Sequence, residues 1–344
     1  MVSVRSVANV SGYDFVVNSG LASSIISTLR NQQNRQGAVT KPTPSSNSSR
    51  FWADFNLLSV AVIWGINAPV MKYGITEIDP FVFNAYRLTI SGIALWFCLL
   101  LEKSKTRDKP SAERHRHLVW WVVGFGFLSG AVYQITFLTG IFRTTAGNTA
   151  LIMSSCPMWT AGLAVLTTNE RLSRIAWIGL TVTLAGTMLV IGQKGEFSTS
   201  GVNLVGNLIV LVAALAWAVS SVVSKPLLNH ISAIRLAFFS ILVTLPLHWL
   251  LAVPNLQSDF SATFEPWTIA SILFSGVFST GIAYAMWNYG VQKLGAPHAA
   301  IYQNVIPLVA VISAWWMIGE TPLSFQIWGG VLIIGGLVLM RRGR

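Results

Sequence analysis

The chain carries a run of three polar side chains inside one of its apolar stretches. The segment HAAIYQNVIP (298–307) holds Tyr302, Gln303 and Asn304 in succession, with His298 four residues before the tyrosine. Residues four apart share one face of a helix. Imidazole, phenol and amide groups form hydrogen bonds, and they are costly in an apolar environment when unpaired. They could bind a small polar solute or neighbouring helices, and as a group they favour the lining of a cavity.

Isolated polar and aromatic side chains in other apolar stretches could serve the same purpose. In AVIWGINAPVMKYG (61–74), Trp64 and Asn67 lie about one turn apart and could face the same side of a helix. Hydrogen bonding between helices is again the alternative to contact with a solute. The further candidates for a solute pathway are Tyr133, Gln134, Asn148, Tyr284 and Trp287.

The same stretches contain residues that break helices. Pro69 has no backbone N–H and its ring displaces the carbonyl of Gly65, so we expect a kinked or locally unwound helix. Such breaks persist in a membrane only where protein or an aqueous cavity satisfies the freed backbone groups. Gating hinges and static kinks both fit these positions. The hinge candidates are Gly65, Pro69, Pro157 and Pro307.

Two cations also lie within apolar stretches. Lys72 could extend its ammonium group to the membrane interface, whereas Arg87 is deep enough to need a counter-charge, a freed carbonyl or water. The interiors of the long apolar stretches contain no Asp or Glu, which disfavours proton-coupled export of lipophilic cations. Cationic and neutral residues suit a zwitterionic, neutral or anionic metabolite, with amino acids and their relatives favoured. His298 keeps proton coupling open.

The composition identifies the elements that must position these groups. Hydrophobic residues make up 53% of the 344 residues and charged residues 10%, compared with about a quarter charged in soluble domains. Helices of about 20 apolar residues are long enough to cross a bilayer. We therefore predict an all-α polytopic membrane protein with ten transmembrane helices, at 55–74, 80–101, 118–139, 145–166, 174–192, 203–223, 232–252, 267–289, 297–317 and 325–341.

The distribution of basic residues predicts the orientation of these helices. With both termini in the cytoplasm, the cytoplasmic loops and one adjoining helix start hold ten basic residues, and the opposite loops hold two. This difference follows the positive-inside rule. It also accounts for much of the net charge of +11 without a nucleic-acid-binding domain. We expect a multi-pass protein of the plasma or inner membrane.

Residues 1–50 differ from the rest of the chain. They contain eleven serines, five Lys or Arg residues and a single acidic residue, Asp14, so we predict a disordered tail. A segment rich in Ser and Arg and poor in acids is also typical of an organellar transit peptide. An organellar membrane is therefore the alternative location, and an extension ahead of the membrane domain is the other interpretation.

The remainder of the chain contains an internal repeat. Shifts of 148 to 153 residues place like residues together in one order along all ten spans. Five helices per repeat put the two halves in opposite orientations, an arrangement typical of alternating-access transporters. We predict a first repeat at 51–193 and a second at 194–344. The matched pairs include Trp64 with Trp217, Lys72 with Lys225, Arg87 with Arg235, Tyr133 with Tyr284, Pro157 with Pro307, Glu170 with Glu320, Gly179 with Gly329 and Gly186 with Gly336.

The pattern resembles the EamA-type permeases of the drug/metabolite transporter superfamily over residues 55–341. The resemblance implies a ten-helix basket, with the fifth and tenth helices at its periphery, that exports or imports small metabolites. Trp217 lacks the glycine that follows Trp64, which is a departure from the pattern in the second half. The resemblance is carried by Trp64-Gly65, Lys72, Arg87, Pro157, NERL (169–172), GET (319–321) and the closing glycines.

We therefore expect a secondary transporter that moves a small metabolite by alternating access, as an exporter. An organellar phosphate or sugar-phosphate exchanger of the same superfamily is the alternative. An intramembrane enzyme or a receptor is less favoured, because the five histidines are scattered and no metal-binding motif appears. We expect no catalytic residues, metal or cofactor. The expected partners are the metabolite and the lipid bilayer, with a homodimer left open and no nucleic acid.

Overall fold

Helices form every regular element in residues 47–102, 112–144, 146–167, 172–192, 201–318 and 324–343, the parts of the chain that a computed structural model describes. All of them lie in one compact unit, Ser45–Arg344. The predicted tail up to residue 46 lies outside the described residues. So do both glutamates of the repeat, Glu170 and Glu320, and no role for them is established.

The first half of the described chain contains seven α-helices. A π-helical segment, Phe127–Val132, joins α3 to α4 without a loop. Together with the two flanking helices it forms the third predicted span. The helices are α1 (Asn47–Glu77), α2 (Pro80–Leu101), α3 (Ala112–Gly126), α4 (Tyr133–Ile141), α5 (Ala146–Ser154), α6 (Cys156–Thr167) and α7 (Arg174–Gly192).

The second half repeats this order with eight α-helices. A π-helical segment, Phe274–Ile282, joins α11 to α12, and a 3-10 segment, Ile301–Asn304, joins α13 to α14. A second 3-10 segment, Val253–Asn255, follows α9. The helices are α8 (Gly201–Leu227), α9 (Ala233–Ala252), α10 (Phe260–Thr263), α11 (Pro266–Leu273), α12 (Ala283–Leu294), α13 (Ala296–Ala300), α14 (Val305–Ile318) and α15 (Ser324–Arg342).

The prediction of an all-α polytopic membrane protein is confirmed. Eight helices in the described residues are long and apolar enough to cross a membrane, by their length and composition. Two shorter apolar helices, Ile152–Thr167 and Arg174–Leu189, fall at the fourth and fifth predicted spans. The count of ten spans therefore stays a prediction. Large apolar side chains such as Leu101, Leu166 and Trp316 are mostly exposed on the outside of the bundle, as expected for a lipid-facing surface.

The first helix is longer than its predicted span. It begins at Asn47 instead of residue 55 and ends at Glu77 instead of residue 74. The sequence carries a polar, serine-rich segment before Arg50, and this composition hid the start of the helix. One consequence is that Asp54, outside the predicted span, lies within a helix and is buried.

A side-chain cap sets the start of α2, at the end of the bundle where α1 ends. Asp79 Oδ1 accepts hydrogen bonds from the backbone N–H groups of Phe81 and Val82, at 2.8 and 3.3 Å, and so caps α2. The other carboxylate oxygen of Asp79 accepts a bond from Asn255, and Asp259 accepts one from the Asp79 N–H. These bonds join the α1–α2 turn to the loop that follows α9.

Two equivalent spans are interrupted just before their prolines. The fourth span breaks at Ser155, between α5 and α6, and Pro157 lies in the first turn after the break. The ninth span changes to a 3-10 segment, and Pro307 lies early in α14. Pro69 behaves differently, because α1 runs through it without the unwinding that we expected.

The fifth and tenth spans, α7 and α15, pack against each other backbone to backbone through their glycines. A Cβ atom on Gly179 would lie 2.6 Å from the carbonyl oxygen of Gly336, and one on Gly186 would lie 2.6 Å from that of Gly329. The contacts run in reverse order along the two helices, so α7 and α15 are antiparallel. Because Gly179 matches Gly329 and Gly186 matches Gly336 in the repeat, the equivalent helices of the two halves are oppositely oriented.

Candidate functional site

Three tryptophans from the two halves form a triangle in the interior of the bundle. Trp64 in α1 and Trp217 in α8 have ring centroids 5.6 Å apart, and both contact Trp287 in α12, at 5.6 and 5.7 Å. Tyr133 and Tyr284 also lie against Trp217, at 4.9 and 6.2 Å. These five residues are called the aromatic cluster below. Trp64 and Trp217 are repeat equivalents, so the cluster lies where the two halves meet.

The two tyrosines owe their positions to the π-helical segments. Tyr133 directly follows Phe127–Val132, and Tyr284 lies two residues after Phe274–Ile282. Seven-residue stretches of the same pattern end at the tyrosines, FLSGAVY in the first half and FSTGIAY in the second. π-helical turns leave backbone groups outside the α-helical pattern and are frequent at functional sites. The repeat has therefore preserved an irregular helix together with the aromatic residue that follows it.

Two indole N–H groups of the aromatic cluster differ in their hydrogen bonds. Trp64 Nε1 donates a hydrogen bond to the carbonyl oxygen of Ser279, within the second π-helical segment, at 3.0 Å. Trp217 is buried, and its Nε1 has no hydrogen-bond partner among the described residues. A buried donor without a partner is costly, and a bound solute or water could satisfy it.

Arg87 lies buried next to the aromatic cluster in a network of neutral groups. Its Nε donates to Asn84 Oδ1 at 3.0 Å, and its Nη2 donates both to the same oxygen and to Gln134 Oε1, the latter at 2.9 Å. Asn84 in turn contacts His248 Nδ1 at 3.0 Å. We call Asn84, Arg87, Gln134 and His248 the arginine network. It joins α2, α4 and α9.

Consecutive residues of α4 connect the network to the aromatic cluster. Gln134 bonds to Arg87, while the preceding Tyr133 packs against Trp217. Within the described residues, no carboxylate pairs with Arg87. The site therefore combines an apolar aromatic surface with a buried cation, and both parts are built from several helices.

The polar run of the ninth span includes a tyrosine that bonds to another helix. Tyr302 is buried and donates a hydrogen bond to Asp54 Oδ1 at 2.5 Å, and Asp54 Oδ2 forms an ion pair with Arg341 at 3.1 Å. These contacts join α1, the 3-10 segment Ile301–Asn304 and α15 at the end of the bundle where the described part of the chain begins and ends. His298 and Gln303 are half-buried in the same span.

Among the remaining predicted residues, the buried amides are the strongest candidates for contact with a solute. Asn67 Oδ1 and both amide atoms of Asn304 are buried without a hydrogen-bond partner among the described residues, and the same holds for Asn288 beside Trp287. Groups of this kind generally bind water or a ligand. The side chains of Lys72 and Asn148 lie outside the described part of the structure.

Gly65 serves close packing between helices. A Cβ atom at this position would lie 2.6 Å from Cβ of Val309, so α1 approaches α14 closely there. This contact explains a glycine at the centre of the opening apolar stretch without requiring a hinge.

Four residues of these sites are not among those predicted from the sequence: Trp217, Asn84, His248 and Asp54. The repeat already paired Trp217 with Trp64, and that pairing was the available signal. His248 was counted only among scattered histidines, because its partners are distant in sequence. The described residues contain no group of three or more His, Cys, Asp or Glu side chains that could hold a metal ion.

Lys225, the repeat equivalent of Lys72, binds the end of a helix. Its Nζ donates to the carbonyl oxygens of Val291 and Gln292, at 3.2 and 2.7 Å, in the last turn of α12. Cations are favourable at helix C-termini, where carbonyl groups lack helical partners. The geometry favours the helix-end interpretation for this member of the pair.

Replacement of Lys225 by Met should lower the stability of the protein by about 1–2 kcal/mol, because two charge-assisted hydrogen bonds are lost. The control is Lys293→Met, which removes an exposed cation from the last turn of α12, the turn that Lys225 binds. This change should alter the stability by less than about 0.5 kcal/mol. Thermal unfolding of the purified variants in detergent measures both effects. Equal melting temperatures for the two variants would contradict the capping role.

Comparison with known proteins agrees with the two-repeat architecture. The model of the EamA-like transporter family matches residues 51–192 and again residues 204–342. A solved crystal structure superimposes with a TM-score of 0.70 at 20% identity and covers 84% of this chain and 98% of that chain. At this level of identity, the solved structure supports the fold alone.

Relatives with transporter names cover most of the chain. An uncharacterized transporter of Bacillus subtilis, YoaV, is 25% identical over 288 residues, 82% of this chain and 94% of the relative. A "Probable terminal-alkyne amino-acid exporter" of Streptantibioticus cattleyicolor is 25% identical over 86% of this chain and 94% of its own. A "Probable amino-acid metabolite efflux pump" of Salmonella typhimurium is 25% identical over 83% and 93%.

The family match covers well over half of the chain, and it spans the described helices of both repeats. The relatives are transporters, so small-molecule solutes and a membrane environment follow for the family. The resemblance drawn from the sequence motifs is thereby confirmed. The chain belongs to the EamA-like transporter family, and it is an integral multi-pass membrane transporter, not an enzyme.

Proposed function

We propose that the protein moves an amino-acid-like metabolite across the membrane by alternating access, in the direction of export. The observation that carries this proposal is the aromatic cluster, which lies at the meeting point of the two repeats and adjoins the buried Arg87. In transporters built from inverted repeats, the solute site lies near mid-membrane between the halves. An aromatic surface beside one cation suits a small solute with an apolar part and a negatively charged group.

Matching irregularities in the two halves support alternating access. The fourth and ninth spans are interrupted before Pro157 and Pro307, and the third and eighth contain π-helical segments. Broken helices form the solute sites of many transporters, and one repeat moves against the other around that site. We infer that these matching elements are the parts that move in each half, with repeat boundaries proposed at 51–193 and 194–344.

Export from the cytoplasm and a plasma or inner membrane location are also part of the proposal. Two relatives carry names that refer to an exporter and an efflux pump for amino acids or their metabolites. The excess of basic residues in one set of loops supports a cytoplasmic location of both termini. The contact between Asp54 and Arg341 is in keeping with this placement, because it holds the described termini at one end of the bundle.

A phosphate or sugar-phosphate exchanger is less well supported. Phosphate recognition favours several basic side chains at one point. Arg87 is the buried cation of the network, whereas Arg235 forms an exposed ion pair with Glu102 at 3.3 Å and Lys225 binds carbonyl groups of α12. These cations occupy three separate surroundings.

Replacement of Trp217 by Phe should reduce transport by about five- to tenfold in kcat/KM. The change keeps an aromatic ring but removes a buried N–H that has no partner among the described residues, so no hydrogen bond to those residues is lost. A hydrogen bond to the solute contributes on the order of 1–1.5 kcal/mol, which corresponds to that factor.

Uptake of labelled amino acids into proteoliposomes, with and without a pH gradient, measures the effect together with direction and coupling. The control is Trp316→Phe, which changes an exposed tryptophan on the outside of the bundle. Transport at the same rate by both variants would count against solute binding in the aromatic cluster.

A further inference from the structure

We propose that Arg87 binds the carboxylate group of the transported solute. The inference rests on the proposed function, because it takes the molecule that binds Arg87 to be the transported solute. It narrows the substrate class to carboxylates that also have an apolar part. It depends on three features of the structure: the surroundings of the guanidinium group, the bonds that orient it, and the aromatic cluster beside it.

The first feature is a buried guanidinium group to which no carboxylate of the described residues binds. Arg87 is 6% exposed, and the acceptors within reach are the amide oxygens of Asn84 and Gln134 and the sulfur of Met71. Buried charges in proteins are generally paired, and an ionised group within a membrane bundle is costly unless it has a function. Within the described residues, Arg87 has bonds to neutral groups without a neutralising anion. An anionic solute would supply the missing charge.

The second feature is a directed chain of hydrogen bonds that fixes the guanidinium group. A backbone carbonyl can only accept, so His248 Nε2 donates to the carbonyl oxygen of Gly130, at 3.1 Å. The neutral ring then accepts at Nδ1 from the Asn84 amide, which leaves Asn84 Oδ1 to accept from Arg87. His248 and Asn84 are thus positioning residues, and the chain starts within the first π-helical segment.

The third feature is the kind of molecule that fits beside the cation. The planar guanidinium fork matches the two oxygens of a carboxylate. Tyr133 directly precedes Gln134, which binds Arg87, and its ring contacts Trp217 and thereby the rest of the aromatic cluster. A solute whose carboxylate binds Arg87 can therefore place its apolar part against the aromatic rings. Among the described side chains of the site, Arg87 is the one cation, which also favours a carboxylate over a doubly charged phosphate.

The test uses binding to the purified full-length protein in nanodiscs. Four probes separate the chemical groups: L-phenylalanine, 3-phenylpropionate, phenethylamine and inorganic phosphate. Thermal shift and titration calorimetry should show binding of the two carboxylates and no binding of the amine or of phosphate. In Arg87→Gln, the affinity for both carboxylates should fall at least about thirty-fold, the usual effect of removing one member of a buried, hydrogen-bonded charge pair.

Two further variants keep the result interpretable. Arg235→Gln, at the repeat-equivalent arginine, removes an exposed cation and should leave carboxylate affinity unchanged. Arg87→Lys keeps the charge without the fork and should retain part of the affinity. Because an uncompensated buried charge costs stability, ligand-free Arg87→Gln should melt at or above the temperature of the unaltered protein. Carboxylates should then raise the melting temperature of the unaltered protein and not that of Arg87→Gln.

Equal binding of the carboxylates to the unaltered protein and Arg87→Gln would overturn the role of Arg87 and leave an amino-acid-like solute standing. Binding of phosphate or of the amine, without binding of the carboxylates, would overturn both the inference and the proposed substrate class. The same holds if none of the four probes binds to the unaltered protein.

Discussion

A leucine in place of Gly336 should prevent α15 from docking on α7, whereas a leucine at the neighbouring Gly335 should be tolerated. We expect Gly336→Leu to lower the free energy of unfolding by about 3 kcal/mol or more, at the upper end of the usual cost of overpacking. For Gly335→Leu, we expect a change within about 1 kcal/mol, and in the stabilising direction, because leucine has the higher helix propensity.

The difference follows from what surrounds each glycine. A Cβ atom on Gly336 would lie 2.6 Å from the carbonyl oxygen of Gly179 and 2.7 Å from the backbone N of Thr183. Backbone atoms cannot rotate away as a side chain can, so the two helices must separate. A Cβ atom on Gly335 would meet nothing within 4 Å.

Fluorescence-detected size-exclusion chromatography and thermal unfolding of the detergent-solubilised variants measure both outcomes. The pair is closely matched, because the two positions are adjacent in one helix and the substitution is identical. If Gly335→Leu is as damaging as Gly336→Leu, then a general effect on insertion is responsible and the packing of α7 against α15 is not.

Asp54→Ala should destabilise the protein by about 2 kcal/mol or more. The carboxylate is almost completely buried, and it accepts from the hydroxyl of Tyr302 while it pairs with Arg341. Its removal takes away a charge-assisted hydrogen bond from a buried tyrosine and an ion pair that ties α15 to α1. Because Arg341 is half exposed, solvent reduces the contribution of the ion pair.

The control is Glu102→Ala, which removes the exposed ion pair with Arg235 and should cost less than about 1 kcal/mol. The loss of stability in Tyr302→Phe should lie between those in Asp54→Ala and Glu102→Ala, because this variant loses the hydroxyl but keeps the ion pair between Asp54 and Arg341. Thermal unfolding in one detergent compares all three variants. A larger loss for Glu102→Ala than for Asp54→Ala would show that the buried contact contributes little.

The features that the sequence could predict are those repeated in both halves. The paired glycines, the paired prolines and the tryptophans each gave a signal twice, and the glycine contacts and helix interruptions are found at the matching positions. Trp64 and Trp217 are in contact as well, although only Trp64 was counted as a site residue. Repetition made these positions visible because a packing constraint on one half recurs in the other.

Features that depend on distant partners could not be predicted. Asp54 and Tyr302 are 248 residues apart, and Asn84 and His248 are 164 apart, so neither bond leaves a local pattern. Arg87 clearly needed partners, but the sequence could not show that these would be amide groups. The π-helical segments also escaped notice, because their composition differs little from that of the α-helices around them.

The two π-helical segments fix the angular position of everything that follows them. One residue advances an α-helix by about 100° around its axis. Because a π-helical turn holds about one residue more than an α-helical turn, a regular α-helix over Phe127–Val132 or Phe274–Ile282 would turn Tyr133 or Tyr284 away from Trp217 by about a quarter of a turn or more, with the same apolar composition of the span. The rotation of α4 and α12 about their axes, rather than their hydrophobicity, thus decides which side chains of these helices meet at the centre of the transporter.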